Sequence, residues 1–232
     1  MSGNPQYNLW FVNQSISAGK LCVYQDGGNV AFNQATPDTL AWMVTGANPS
    51  VQVNFKWDTD YDFAWFDYGS TSTQQIESAG LNAGNAVTLS LNQYGYYFKA
   101  PPTSGPSGRL SIQMDASIPS INDAVAGIGM HGAGTFASPA GPNINLVCTP
   151  AQVSGLAYWV SFGPYTFEVN DSIDVSTLNT PAKISFPYGV YTMTAVLNSQ
   201  NLWSVYSGPP VAVTAPSSGN VVVYEAGKGI LP

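Results

Sequence analysis

The sequence predicts an all-β protein, folded as an antiparallel β-sandwich, and three observations lead there. Short runs of alternating apolar and polar residues recur between Gly, Pro, Asn, Ser and Thr clusters, at a spacing of about 8–12 residues. The chain carries 23 Gly and 17 Pro in 232 residues, so almost no stretch long enough for a helix escapes a breaker. Hydrophobic residues make up 44% of the chain and aromatic residues 12%, enough apolar surface to offset the entropy lost on ordering it.

In chain order, the alternation predicts strands over residues 7–13, 20–25, 40–45, 51–57, 63–68, 86–92, 96–99 and 109–115. In the second half it predicts 144–148, 157–162, 166–169, 182–186, 191–198, 202–206 and 220–225. Only residues 120–126 leave room for a helical turn. Two Pro/Gly-rich stretches, 100–108 (APPTSGPSG) and 137–143 (ASPAGPN), read as exposed loops, because strand-like runs resume at once. The apolar order of NLWFVNQ (8–14) returns in AYWVSFG (157–163), and a strand-rich segment with clustered aromatics follows each. That echo is compatible with two related half-sandwiches, 1–115 and 140–232, within one domain spanning 1–232.

Charge sets this chain apart. Only 8% of residues are charged, against about 25% in ordinary soluble proteins. Asn, Ser, Thr, Tyr and backbone must therefore cover most of the surface, and such a surface does little to keep copies apart. The formal net charge is −7 and the pI near 4.2. Lys20, Lys56, Lys99, Arg109, Lys183 and Lys228 are scattered singly, so no basic patch arises; nucleic acid and anionic membrane are both disfavoured partners. The N-terminus, MSGNPQYN, has neither a positive region nor an apolar run, and no stretch has the apolar length of a transmembrane helix. The expectation is cytoplasmic synthesis without a signal peptide, any release following a leaderless route. Cys22 and Cys148 match no metal or redox spacing, which leaves a pair of buried thiols or a disulfide.

Little here points to catalysis. Gly127-Ile-Gly129-Met-His-Gly132 spells GxGxxG, but AGTFASPAGP follows where a dinucleotide site needs a helix N-terminus. The glycines fit a tight hairpin, a bulge or close strand packing instead. His131 is the one histidine, no GxSxG elbow exists, and neither cysteine has a catalytic context. The acidic run Asp58, Asp60, Asp62 is the best candidate for chemistry. On a strand, alternate residues share a face, so three carboxylates would lie about 6–7 Å apart and attract a cation such as calcium. It is no EF-hand, since Phe63 and Gly69 stand where that loop needs Gly and Glu. The plainer reading is a solvated strand face with Trp57, Tyr61, Phe63 and Trp65 packing the core behind it, and the regular alternation favours it. The same carboxylates in a cleft would suit a glycoside hydrolase, but nothing marks one as the acid. Gln93-Tyr94-Gly95-Tyr96-Tyr97 reads as a hairpin whose tyrosines, Tyr94, Tyr96 and Tyr97, are the best exposed aromatic candidates for a ligand.

LCVYQ (21–25), LAWMV (40–44), VNFKWDTDYDFAW (53–65), GIGMHGAGTFASPAGPNINL (127–146) and YWVSFG (158–163) together resemble the RhiA-like family of bacterial proteins, named for a rhizosphere-expressed protein of root-nodulating bacteria. The resemblance covers most of the chain. It implies expression tied to cell density and to life beside a host, with no established activity and no catalytic residue to carry over. The expected function is therefore non-enzymatic: a self-assembling or host-surface-interacting β-sandwich. The alternative is a carbohydrate- or lipid-binding module (a lectin, for example), with calcium assistance through Asp58, Asp60 and Asp62.

Overall fold

The computed structural model describes residues 5–25, 30–32, 38–67, 74–80, 83–130, 133–150, 157–211 and 221–231. Among them there is no α-helix, only one 3-10 turn at Val175–Thr177, and twenty strands in four sheets. Numbered along the chain, the six-stranded sheet runs β18 (Trp203–Ser207), β17 (Thr192–Leu197), β1 (Tyr7–Asn13), β6 (Gln52–Trp57), β19 (Val221–Glu225), β20 (Gly229–Leu231). A five-stranded sheet runs β10 (Gly95–Thr103), β9 (Ala86–Asn92), β11 (Leu110–Met114), β14 (Asn145–Pro150), β3 (Val30–Phe32). A second runs β4 (Asp38–Thr39), β13 (Ala133–Pro139), β12 (Ala124–Met130), β7 (Tyr61–Asp67), β8 (Gln75–Ala79). The four-stranded sheet runs β16 (Ala182–Ser185), β15 (Ala157–Gly163), β2 (Gly19–Gln25), β5 (Met43–Ala47).

Most ladders are antiparallel, as the short connections predict. Three are parallel: β1 with β17, β9 with β11, and β6 with β19. Parallel partners cannot be joined by a tight turn, so these sheets are mixed. Strands from residues 1–115 and from 140–232 share three of the four sheets, and backbone ladders tie the two stretches together.

Period-two burial explains why the strands lie where they do. In β1, Leu9 and Phe11 are fully buried while Asn8 and Trp10, which alternate with them, are half-exposed. One core cluster then takes side chains from every sheet: Leu9, Phe11 and Phe55, Leu89 and Leu110, Phe63 and Ile128, Leu21 and Tyr158. Facing apolar sides that meet in one core define a sandwich. Its centre is aromatic. Trp57 lies edge-on to Trp42 at 5.5 Å and 5.0 Å from Tyr158, and Phe186 packs edge-on to both Trp57 and Tyr158. Each such ring buries about 150–250 Å², so truncating Trp57 removes several contacts at once.

Several expectations change. Residues 166–169 form no strand; the segment is irregular and enters a turn at Val169, and the Lys20 ammonium ties it down by donating to the Thr166 and Phe167 carbonyls and to the Glu168 carboxylate. The helical turn at 120–126 is replaced by an entry into β12. There the Asn122 side chain donates to the Pro119 and Ala140 carbonyls and accepts from the Ala124 N–H, bridging two chain segments. The two Pro/Gly-rich stretches are partly strand. Pro101 and Pro102 end β10 at the edge of its sheet, and Pro139 ends β13. A missing N–H is tolerated at an edge or a strand end, where no partner needs it.

Candidate functional site

The acidic run does not form the expected face. Asp58 and Asp60 lie in the connection between β6 and β7, and only Asp62 is on a strand. The Asp60 N–H donates to Asp58 Oδ1 at 3.0 Å, so this carboxylate caps its own turn. Among the described residues no three His, Cys, Asp or Glu side chains gather as a metal-holding group. The apolar half of the reading fares better: Trp57, Tyr61 and Phe63 are buried, and Trp65 packs half-buried against the core.

The three tyrosines separate. Tyr94 sits at the tip of the β9–β10 hairpin, 88% exposed, its N–H held by Asn92 Oδ1 at 2.8 Å. Tyr96 leans on Trp65, ring centroids 5.6 Å apart, and its hydroxyl pKa is raised by burial and by the nearby Asp67 and Asp123. Tyr97 is half-buried on the strand. Of the three, Tyr94 is the one that is exposed.

Other candidates for chemistry are absorbed by packing. Gly127 and Gly129 lie on β12, and the pairing with β13 shifts register between Ile128 and Gly129, so the glycine run serves a bulge. His131 lies outside the described residues. Cys22 and Cys148 are unbonded and fully buried; burial raises both thiols, Cys148 to about 12, so neither forms the thiolate a nucleophile needs.

Two features escaped the sequence reading. The first is a sheet edge that ends the strand order among the described residues. From Ile184 to Tyr224 the chain contains no Asp, Glu, Lys or Arg, and this stretch includes β17 and β18. The strand order ends at β18. Other edges are defended: β10 by Lys99, Pro101 and Pro102, β8 by Glu77, β16 by Lys183, and β5 by burial. Among described edge strands longer than three residues, β18 alone is both uncharged and exposed, with Val205 37% accessible and Leu202 beside it 62%. The second feature is a cleft of about 340 Å³ where the β17–β18 hairpin meets the end of β15. Trp203, Asn179, Asn201 and Thr180 line it, over buried Phe162 and Leu197. An unbroken absence of charge is the signal that would have found the edge. The cleft needed tertiary structure, since its walls come from four separate segments.

The RhiA family model matches residues 4–208. The chain is 28% identical over 208 residues to the Protein RhiA of Rhizobium leguminosarum bv. viciae, covering 86% of each chain. No solved structure matches.

Proposed function

The chain belongs to the RhiA family, and we propose that it works by contact rather than catalysis, as a self-associating β-sandwich whose copies pair along β18. The observation that carries this reading is that edge: exposed, uncharged and free of proline. An open edge presents a row of backbone donors and acceptors, and proteins that stay monomeric block it with charge, Pro or a cover. β18 has none of the first two, and Leu202 and Val205 add exposed apolar surface beside it. Pairing β18 with β18 of a second copy about a two-fold axis would close an isologous interface and join two six-stranded sheets.

The test is light scattering coupled to size-exclusion chromatography on the parent protein and on Val205→Lys. A lysine at the edge leaves the fold intact, as exposed substitutions usually change stability by within about 0.5 kcal/mol, while burying an unpaired ammonium opposes strand pairing. The parent is expected to be oligomeric and Val205→Lys monomeric with an unchanged melting temperature. A parent that stays monomeric at high concentration overturns the reading.

A second reading, a carbohydrate- or lipid-binding module, draws on Tyr94, whose ring projects from a hairpin tip. It predicts that a glycan-array or liposome signal falls in Tyr94→Ala; no signal in either assay removes it.

A further inference from the structure

We infer that the cleft walled by Trp203, Asn179 and Asn201 is a binding site for a neutral sugar ring. This goes beyond self-association, and it deepens the carbohydrate reading by placing the ligand away from Tyr94.

The chemistry of the walls selects the ligand class. None of the lining residues is charged, so a phosphate, carboxylate or ammonium ligand would shed its hydration with no counter-charge to meet it. A purely apolar ligand fits no better: Asn179 and Asn201 amides and the Ser17 and Thr180 hydroxyls would lose water without replacement. The walls combine donors, acceptors and an indole over an apolar floor of Phe162 and Leu197. A sugar ring has the matching duality, hydroxyls around its rim and C–H groups on its faces. The volume, about 340 Å³, sits at the lower end of small-molecule sites, roughly 300–1,000 Å³, which favours one or two rings over a long chain.

The walls are also held in place before any ligand arrives. Trp203 donates its indole N–H to the Thr180 carbonyl at 2.7 Å and is backed by Phe11 with centroids 5.7 Å apart, so the ring cannot swing away. Asn179 is fixed by a closed circuit. Its N–H donates to the Tyr165 hydroxyl at 2.8 Å, that hydroxyl donates to Ser161 Oγ, and Ser161 Oγ donates to the Asn179 carbonyl at 3.0 Å. Ser161 is fully buried and anchors the inner end of the circuit, while Asn179 at its outer end is exposed to the cleft. Asn201, at φ 59°, turns the hairpin, and its N–H donates to the Asn198 carbonyl at 3.0 Å. Preorganisation of this kind lowers the entropy lost on binding.

Gly163 gives the sharpest test. A Cβ there would stand 2.6 Å from Asn179 Nδ2 and 3.0 Å from Cζ of the Tyr165 ring. The flexible end of the Asn179 side chain gives way and the Tyr165 ring shifts by a few tenths of an ångström, so Gly163→Ala displaces the amide, and its melting temperature checks that the fold is kept. Both this variant and Asn179→Ala lie away from the β18 edge, and Val205→Lys supplies a form with that edge blocked. The experiment titrates isotope-labelled protein with glucose, galactose, mannose and N-acetylglucosamine, followed by the indole N–H resonances in NMR, with Trp203→Phe used to assign Trp203. Glucosamine and glucose 6-phosphate serve as charged controls.

At least one neutral sugar is expected to shift the Trp203 resonance saturably, in the parent and in Val205→Lys alike. Binding should be about tenfold weaker in Gly163→Ala and Asn179→Ala, the loss of one good hydrogen bond, with melting temperatures kept. Three results would overturn the inference: no neutral sugar moving that resonance, Gly163→Ala titrating like the parent, or a charged control binding more tightly. A sugar signal lost in Tyr94→Ala but kept in Gly163→Ala would also sink the cleft while leaving the broader carbohydrate reading standing.

Discussion

At the scale of single residues, Asp115 shows most clearly how the fold uses its few charges. Its carboxylate accepts hydrogen bonds from the Ser117 hydroxyl and backbone N–H and from the Ser90 hydroxyl, and it receives Lys99 Nζ at 2.9 Å. These bonds, the Ser117 hydroxyl foremost, then Ser90 and Lys99, hold its pKa far below the ordinary carboxylate range. Stability from such a group is fully present above the unfolded-chain value, near about 4, and is lost as pH falls through that value toward the lower native one. Urea midpoints measured between neutral and strongly acid pH should therefore drop at the acid end. In Asp115→Asn the neutral-pH midpoint should be lower and the acid slope shallower. An acid limb of unchanged slope in that variant would mean that Asp115 contributes nothing to the pH dependence. Ser117 is a local partner, two residues on from Asp115, but Ser90 and Lys99 come from β9 and β10 and meet Asp115 only in the folded protein, so the full cluster was not readable in the sequence. The strand face expected at Asp58, Asp60 and Asp62 does not form, for the converse reason. The spacing was right for a strand, but the strand ends at Trp57 and restarts at Tyr61, and spacing alone does not say where pairing stops.

At the scale of elements, legibility followed alternation. β1, β2, β6, β9, β11, β15 and β17 alternate, or carry β-branched and aromatic residues, and they were expected within a few residues. β12 (AVAGIGM) was not, because it is buried on both faces and shows no period to read, and its glycines imitate a loop. β8 was missed because Gln75, Glu77 and Ser78 give it little apolar content. The stretch at 166–169 misled in the opposite direction: TFEV alternates, but no neighbouring strand offers it a ladder. Position in a sheet also grades stability. β1 is hydrogen-bonded on both sides, to β17 and β6, whereas β18 has one partner among the described strands. Hydrogen–deuterium exchange on the monomeric Val205→Lys variant should find β1 and β6 amides the slowest and β18 amides among the fastest. In the assembled parent, β18 amides should gain protection that β10 amides do not. Equal protection of β18 in both forms would place the contact elsewhere.

For the whole molecule, the proposed self-association has to work against a net charge of −7. Six basic and 13 acidic side chains share 10,991 Å² of surface, so charge is sparse, and the stretch carrying β17 and β18 has none. Two opposing effects follow. Each copy repels the next as one anion repels another, over a range set by the Debye length, about 10 Å at 0.1 M salt. The pairing edge itself has no ion pair to be screened, so salt cannot weaken the contact directly. Added salt should then strengthen association, by removing repulsion alone, and the gain should level off once the Debye length falls well below the molecular size. Lowering the pH toward the pI, near 4.2, should act in the same direction until the pH falls through the unfolded-chain carboxyl value, about 4, where the stability that Asp115 supplies begins to be lost. Sedimentation velocity across a sodium chloride series reads this directly. Dissociation on adding salt would show that the interface rests on opposite charges, which β18 lacks, and would turn the search toward the defended edges of the other sheets.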